Sequence, residues 1–466
     1  MTRFCSFCHS PYFVKHEQVR RLVRYLSDIY PQFDAKHCDE QLLYQLLFGE
    51  GDLDKGKIAL VFTYTQRAFE DFIAQEQYQK DKPEQKYRLL QAYRAMSQFT
   101  TFEKALKRLE SEHAKVSQKD ASHYYYAYRL AKSADDYYNH QDRRRVDNSL
   151  QQKQKSLDHF FILEKLRDAC EVKVRQRILK VEYPTRFLKE VLAEIANDEP
   201  LFSEVPAILV YFKIYQMLDH GEQSEHYQEA FVFFSEHTYL FEKEELTWIY
   251  IYFMNYCIAR INRGDNAFLK EIFQIYKAQL AQNLLLENGE LSEWDYKNIV
   301  TTALRLRELD WVFQFIQDYR DQLNEQSREN AYRFNLANYY YAKGNFDKVL
   351  DLLIQVEYSD LRYNLSAKAL LLRTYFDLGE YEALHSLTES FKQYLLRNKL
   401  MSDARRVGYN NLFKLTRKIA NYKAKQNFMN TERQSREITK LQKELRETPL
   451  MYNREWLEEK LLELPA

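Results

Sequence analysis

The sequence predicts an all-α protein that folds as a right-handed α-solenoid of helical hairpins. Glycine and proline are scarce: the chain has 9 glycines and 8 prolines among 466 residues, whereas the two make up about 12% of an average protein. A chain with so few turn-forming residues favours long helices over folds that depend on glycine turns. Its apolar share of 45% is large enough to build a buried core and argues against disorder.

An internal repeat between residues 335 and 391 is the second observation behind this prediction. Two segments align with an offset of 35 residues, and each has a glycine between two stretches of helical apolar periodicity. Units of about 34 residues with this layout are typical of stacked helical hairpins. Trp311 lies 35 residues before Phe346 and marks a third, degenerate copy. The aligned pairs are Leu336 and Leu371, Tyr340 and Tyr375, Tyr341 and Phe376, Gly344 and Gly379, Phe346 and Tyr381, Val349 and Leu384, and Leu352 and Leu387.

The two repeats resemble the tetratricopeptide repeat (TPR). The first copy matches the family pattern at Leu336, Ala337, Tyr340, Gly344, Phe346 and Val349, and the second at Leu371, Tyr375, Gly379, Tyr381 and Leu384. Leu372 and Leu384 stand where small residues are usual, and the family's terminal proline is absent from both copies. The resemblance covers about sixty residues clearly. It implies a protein-binding scaffold and supplies no catalytic residues.

Composition divides the chain into four predicted regions. Residues 1–75 form a small helical N-terminal module, and residues 76–183 form long helices and irregular hairpins. Residues 184–396 form the TPR-like array, and residues 397–466 form a basic helical segment with a C-terminal capping helix. The segment between positions 397 and 440 contains twelve basic residues and three acidic ones. The capping helix is predicted from the apolar residues Trp456, Leu457, Leu461 and Leu462.

Cysteine usage and charge indicate the compartment and the class of partner. The five cysteines are an odd number in a chain too large to need disulfides, which favours a reducing, cytoplasmic location. The N-terminus lacks the continuous apolar stretch of a signal peptide, and no apolar run is long enough to cross a membrane. With 68 basic and 68 acidic residues, the formal net charge is zero, so no global attraction to a polyanion is expected.

A zinc site near the N-terminus is the first chemical motif to consider. Two cysteines two residues apart can hold a metal ion with their thiolates. However, a second such pair is missing, and the adjacent His37 and Cys38 would rarely both face one ion. The prediction is a set of free thiols without a metal. The candidate ligands are Cys5, Cys8, His9, His16, His37 and Cys38.

The segment 51–57 fits the GxxxxGK spacing of a phosphate-binding loop. Ile58 stands where a hydroxyl side chain would bind Mg²⁺, and Asp52 and Asp54 would place carboxylates where phosphates should lie. The segment is therefore predicted to be a polar loop that binds no cofactor. Neither an HExxH nor a GxSxG motif occurs, and the eleven histidines are scattered, so no enzyme is predicted.

The predicted function is a non-catalytic protein–protein interaction scaffold that binds another protein or peptide. In helical-hairpin arrays the polar and aromatic positions of the first helix of each hairpin face the groove. These positions give four candidate partner-binding residues: Asn335, Asn338, Tyr339 and Arg373.

The alternative is a helical-repeat protein that binds RNA or single-stranded DNA. Stacking of bases on aromatic side chains, combined with neutralisation of phosphates, holds single strands. A tyrosine-rich helix followed by three arginines, together with the basic segment 397–440, would supply both. The residues are Tyr124, Tyr125, Tyr126, Tyr128, Tyr137, Tyr138, Arg143, Arg144 and Arg145. The purely structural interpretation is that tyrosines three and four residues apart fill the cores of the helical hairpins.

Overall fold

The computed structural model describes residues 1–141, 148–179, 181–221, 223–354, 361–397 and 401–464. These residues form 23 α-helices and one small β-hairpin, which confirms the prediction of an all-α fold. No described helix combines the length and the apolar character that crossing a bilayer requires. The helices are α1 (Thr2–His9), α2 (Glu17–Asp28), α3 (Glu40–Phe48), α4 (Lys55–Lys80), α5 (Lys82–Ala95), α6 (Phe99–Ala114), α7 (Ala121–Gln141), α8 (Ser149–Leu179), α9 (Leu188–Asn197), α10 (Glu199–Phe202), α11 (Pro206–Asp219), α12 (Ser224–Glu236), α13 (Lys243–Asn262), α14 (Phe268–Ala281), α15 (Glu293–Arg305), α16 (Leu309–Asp318), α17 (Arg328–Ala342), α18 (Phe346–Ile354), α19 (Leu361–Leu378), α20 (Tyr381–Arg397), α21 (Asp403–Lys425), α22 (Thr431–Glu447) and α23 (Arg454–Leu462). The strands are β1 (Leu286–Glu287) and β2 (Glu290–Leu291).

The chain divides into two compact units. The first comprises Met1–Arg167 and Ala193–Ile208, and the second comprises Asp168–Leu192 and Leu209–Ala466. The four predicted regions are a finer division and stay a prediction. Helix α4 runs without interruption through residue 75, where we expect the boundary between the first two regions.

Aspartate caps fix where three helices of the first unit begin. The side chains of Asp39, Asp54 and Asp81 each accept a hydrogen bond from a backbone N–H in the first turn of α3, α4 and α5. Such a cap satisfies a donor that the helix itself leaves unpaired. Helices α1 to α4 then bury an apolar cluster that includes Val19, Leu22, Val23, Leu43, Leu47 and Val61. Helices α5 to α7 bury a second cluster that includes Leu90, Phe102, Leu106, Leu109, Leu130 and Tyr137.

Two histidines stack where α6 ends and α7 begins. The ring centroids of His113 and His123 are 3.9 Å apart, and the Lys119 ammonium lies 3.3 Å from Nε2 of His123. Burial, followed by the charge of Lys119, lowers the pKa of His113 to about 4. Burial, followed by the charges of His113 and Lys119, lowers the pKa of His123 to about 3. Both rings are therefore neutral in the folded protein over most of the acidic range.

Left-handed residues form the turns in the C-terminal half of the second unit. Gly344 (φ 71°) follows α17 and Gly379 (φ 76°) follows α19. The corresponding turn after α15 has no glycine, and Arg307 adopts φ 60° there instead. A Cβ atom in a left-handed residue crowds its own backbone, at a cost of about 1 kcal/mol. Arg307 thus holds a strained conformation that the two glycines adopt freely.

The last three helices of the second unit share one core with α19 and α20. Trp456 on α23 packs edge-on against Phe376 on α19, with ring centroids 5.5 Å apart. Leu457 and Leu461 are also buried, whereas Leu462 is 79% exposed. Three of the four apolar residues from which we predict the capping helix therefore enter the core.

We predict that acid destabilises the first unit through its stacked histidines. Their folded-state pKa values lie below 6.5, so the unfolded chain binds protons first as the pH falls. The free energy of unfolding therefore falls from about pH 6.5 until the folded pKa is reached, by up to roughly 1.4 kcal/mol per histidine and pH unit. His123→Phe should reduce the loss of stability between pH 7 and pH 5, as measured by urea unfolding. Replacement of the exposed His140 by Gln is the control, and an unchanged pH profile in His123→Phe would contradict the prediction.

We predict opposite effects of two substitutions at equivalent turns of the second unit. Arg307 is exposed, and its side chain forms no hydrogen bond or ion pair with a described residue, so Arg307→Gly should raise the free energy of unfolding by about 0.5–1 kcal/mol through relief of backbone strain. Gly344→Ala should lower it by about 1 kcal/mol, although a Cβ there meets no atom within 4 Å. Urea midpoints of the two variants test the pair. Equal shifts in the same direction would show that the left-handed backbone is not the cause.

Candidate functional site: an acidic cavity in the second unit

Of the four predicted partner-binding residues, two are buried in the second unit and two are half-buried. Asn335 is 1% exposed and Tyr339 is 5% exposed, whereas Asn338 and Arg373 are half-buried. The amide groups of Asn335 and Asn338 donate hydrogen bonds to carbonyls one turn back in their own helix, Ala331 O at 2.8 Å and Phe334 O at 2.9 Å. Asn335 and Tyr339 present almost no surface to a partner in this conformation.

Arg373 belongs to a polar cluster that attaches α23 to α19. Its guanidinium carbon lies 4.2 Å from the ring centroid of Tyr341 and 5.4 Å from that of Trp456. The Tyr341 hydroxyl donates a hydrogen bond to Asp377, which also pairs with Lys460 at 3.1 Å. Arg373 therefore contributes to packing, and a role of the half-buried Asn338 and Arg373 in partner binding stays a prediction.

A cavity of about 910 Å³ opens on the second unit beside the β-hairpin. Helices α13, α14 and α17 contribute to its wall, together with the start of α15 and the segment before α17. Among the lining residues that the structure describes, the charged ones are all acidic. The four carboxylates belong to Glu287, Glu290, Glu293 and Asp295.

The hairpin and the start of α15 place these carboxylates. Leu286 pairs with Leu291 and Glu287 pairs with Glu290 across the two strands. Asn288 and Gly289 form the connecting turn with φ values of 52° and 85°, as the Asn-Gly pair of a two-residue hairpin loop requires. The hydroxyl of Ser292 then caps α15 by accepting a hydrogen bond from Trp294 N at 3.2 Å. Nine residues, 287–295, thus bring four carboxylates to one wall.

The negative charge of this wall is largely uncompensated. Glu290 accepts a hydrogen bond from the Asn324 amide at 3.0 Å, but Glu287, Glu293 and Asp295 form no ion pair with any described residue. Burial raises the pKa of Asp295 above its ordinary value, and the charge of Glu287 adds to the increase. An acid in the first turn of a helix is usually favoured, so burial and repulsion outweigh the helix dipole here. A bound cation would relieve both effects.

Gln279 supplies a buried acceptor to the same cavity. The residue lines the cavity and is 2% exposed, and its side-chain Oε1 has no hydrogen-bond partner within the described part of the chain. Leaving such an atom unpaired costs about 1–3 kcal/mol. A ligand that donates a hydrogen bond there would recover that cost.

Neutral polar side chains complete much of the wall. Amides and hydroxyls can each donate and accept hydrogen bonds, which suits the alternating groups of a peptide backbone. These side chains belong to Thr247, Asn288, Ser292, Asn324, Gln326, Ser327 and Asn330.

Aromatic residues at the cavity edge already hold a cation of the protein. The ammonium of Lys297 lies 5.9 Å from the ring centroid of Trp294 and 5.4 Å from that of Tyr363. It also donates a hydrogen bond to Ser366 Oγ at 2.9 Å. Since Lys297 is engaged outside the acidic wall, an incoming cation meets the carboxylates rather than these ring faces.

The candidate zinc ligands do not converge in the structure. Cys5 Sγ lies 3.6 Å from Nδ1 of His9, His37 pairs with Asp34 at 2.7 Å, and the five cysteines are free thiols. Burial, and then the neighbouring Cys5, raises the pKa of Cys8 to about 11, so this thiol resists forming the thiolate that binds metals. Within the described ranges no three histidine, cysteine or acidic side chains come together around a possible metal position.

Residues 51–54 of the GxxxxGK segment form a polar loop, and residues 55–57 are the first residues of α4. The Asp54 carboxylate accepts a hydrogen bond from Lys57 N at 3.1 Å. The carboxylate thus occupies the helix N-terminus, where a phosphate would otherwise bind.

The tyrosines of α7 contact protein side chains. Tyr124 packs against His159, Tyr125 against Phe160 and Tyr126 against His113, with ring centroids 5.0 to 5.2 Å apart. Tyr137 is buried. Arg143, Arg144 and Arg145 lie outside the described residues, so binding of RNA or single-stranded DNA by this helix stays a prediction.

No protein-family model, no curated protein and no solved structure matches the chain.

We predict that Asp295→Asn stabilises the protein at neutral pH. A carboxyl whose folded-state pKa is raised contributes stability below its unfolded pKa, and that contribution is lost as the pH rises through the folded value. The charged form thus lowers the free energy of unfolding at pH 7, and the amide should restore up to about 1 kcal/mol. Urea unfolding at pH 7 and at pH 3.5 measures the effect, which should vanish at the lower pH. The exposed Glu325→Gln is the control; equal stabilisation by both variants would refute a local cause.

Proposed function

We propose that the protein is a non-catalytic protein–protein interaction scaffold whose acidic cavity binds a basic segment of a partner protein. The observation that carries the proposal is the wall of four carboxylates, which has no cation among its described lining residues. Complementary charges on the two sides of an interface increase its specificity and the rate at which the partners meet. The cavity's size, together with its amides and hydroxyls, fits several residues of an extended chain rather than a single ion.

The helical hairpins of the C-terminal half support the scaffold part of this proposal. Helices α17 and α18, and α19 and α20, follow each other through the left-handed Gly344 and Gly379. We therefore retain for these residues the interpretation of two TPR-like hairpins in a right-handed helical array. A role in the reducing environment of the cytoplasm is part of the same proposal, since it rests on the cysteine usage of the sequence.

A planar guanidinium is the cation that suits this wall best. It carries five donors and can pair with a carboxylate through two parallel hydrogen bonds. It can also reach a neutral acceptor such as Gln279 Oε1 while its charge faces Asp295. We therefore expect arginine to be preferred over lysine at the central position of the bound segment.

Fluorescence anisotropy with labelled peptides tests the proposed function. The full chain is titrated against a short peptide of alternating arginine and glycine, against its lysine analogue and against a glutamate–glycine peptide of equal length. The double variant Glu287→Gln/Asp295→Asn should weaken binding of the arginine peptide at least about tenfold, or roughly 1.4 kcal/mol. Since Asp295→Asn is expected to stabilise the fold, unfolding would not account for that loss. The exposed Glu325→Gln should bind normally.

The pH dependence of peptide binding gives a second readout of the same contact. Binding should weaken as the pH falls towards the raised pKa of Asp295, and Asp295→Asn should flatten this dependence. Gln279→Leu should weaken the arginine peptide without changing the pH profile. If the arginine peptide does not bind, or if free arginine amide binds as tightly as the peptide, the cavity is not a site for a protein segment.

A further inference from the structure

A second cavity, of about 470 Å³, lies between α20 and α21 and has the opposite charge. Its lining contains four cations and one carboxylate. The cations are Lys392, Lys414, Arg417 and Lys418, and the carboxylate is Glu389. Two amides, Asn410 and Asn421, add further hydrogen-bond donors. The lining residues on α21 occupy positions 410, 413, 414, 417, 418 and 421, a helical spacing that puts them on one face of that helix.

Two of these cations are already paired and two are not. Arg417 pairs with Glu389, and Lys418 pairs with Glu444 at 2.6 Å. Lys392 and Lys414 are exposed and form no ion pair with a described residue. Glu389 neutralises only part of the charge around the opening, so the groove keeps two unpaired ammonium groups and a partly engaged guanidinium.

Two phenylalanines, Phe391 and Phe413, contribute apolar side chains to this cavity. The rings of Phe391 and Phe413 stack with their centroids 3.8 Å apart, and the two residues are 1% and 2% exposed. Because both rings are covered, they offer no face on which a nucleobase could stack. Single-stranded nucleic acids are held by stacking in addition to charge, so this groove meets only half of that requirement.

We infer that this groove binds a phosphate monoester group. A monoester carries nearly two negative charges and three acceptor oxygens at neutral pH. It can be approached at once by two ammonium groups, by the fork of Arg417 and by an asparagine amide, all of which line one compact cavity. A carboxylate would engage fewer of these donors, and the diester backbone of RNA carries one charge per residue. The inference is independent of the acidic cavity, which lies on other helices of the unit.

Isothermal titration of the full chain tests the inference with four probes. These are inorganic phosphate, O-phosphoserine, a short peptide that contains phosphoserine, and a single-stranded RNA. A monoester should bind, and Lys392→Gln/Lys414→Gln should lower its affinity at least about tenfold. Tight binding of the peptide alone identifies a phosphorylated protein segment, whereas equal binding of O-phosphoserine identifies a small phosphate ligand. Either result supports the site.

Lys440→Gln provides the matched control. Lys440 is an exposed lysine on α22 within the same basic segment but outside the groove. The control should bind the monoester like the unmodified chain, and the thermal unfolding of both variants should be unchanged because all three lysines are exposed. The inference is overturned if no monoester probe binds, if Lys440→Gln loses as much affinity as the double variant, or if RNA binds more tightly than any monoester.

Discussion

Buried tyrosine hydroxyls constrain how the helices of the second unit pair. A hydroxyl taken out of water has to find a partner or lose several kilocalories per mole. Tyr296 is fully buried, and its hydroxyl donates to the carbonyl of Ile316 at 2.8 Å, which connects α15 to α16. The hydroxyl of Tyr363 donates to the carbonyl of Glu293 at 3.1 Å and connects α19 to the first turn of α15. Because that turn also carries Asp295, the position of the acidic wall depends on the second bond.

The two cavities show that a chain of zero net charge can still have a local excess of negative or positive charge. Counted over the described lining residues, one cavity has four carboxylates and no cation, and the other has four cations and a single carboxylate. Neither imbalance is visible in the total of 68 basic and 68 acidic residues. Local fields of this kind act over about 8–10 Å at physiological salt, so each cavity can select a ligand of opposite sign.

The sequence was sufficient to predict an all-α protein, because scarcity of glycine and proline and helical periodicity are properties that a single chain displays, whereas the solenoid of TPR-like hairpins stays a prediction. The sequence was also sufficient to predict turns at Gly344 and Gly379. Both residues have a left-handed backbone, which only glycine adopts without strain. The turn at Arg307 could not be predicted in this way, since the repeat offset of 35 residues puts the glycine position at Leu309, whereas the left-handed residue is Arg307. The Asn288-Gly289 pair was the one local signal of the β-hairpin, but strands of two residues are too short to show an alternating pattern.

The candidate site could be predicted only in small part. Residue type and repeat register placed Asn335 and Tyr339 on a binding face, whereas the structure buries both. An asparagine on a helix can satisfy its amide at a carbonyl one turn back, as Asn335 does at Ala331 O, and so enter a core despite its polarity. The acidic cavity combines residues from 247 to 363, and no spacing rule joins positions so distant. Glu287 and Glu290 could have been noticed only as charges beside an Asn-Gly pair.

The β-hairpin carries two carboxylates of the acidic cavity on residues that do not contribute to the stability of the surrounding helices. Glu287 and Glu290 sit on exposed strand positions and add nothing to the apolar core. Substitutions there can reverse the charge of half the wall at little cost to folding, whereas changes at Tyr296 or Tyr363 would disturb the helix pairs. Ligand preference can therefore diverge among descendants of this chain through a four-residue segment, while the scaffold stays the same.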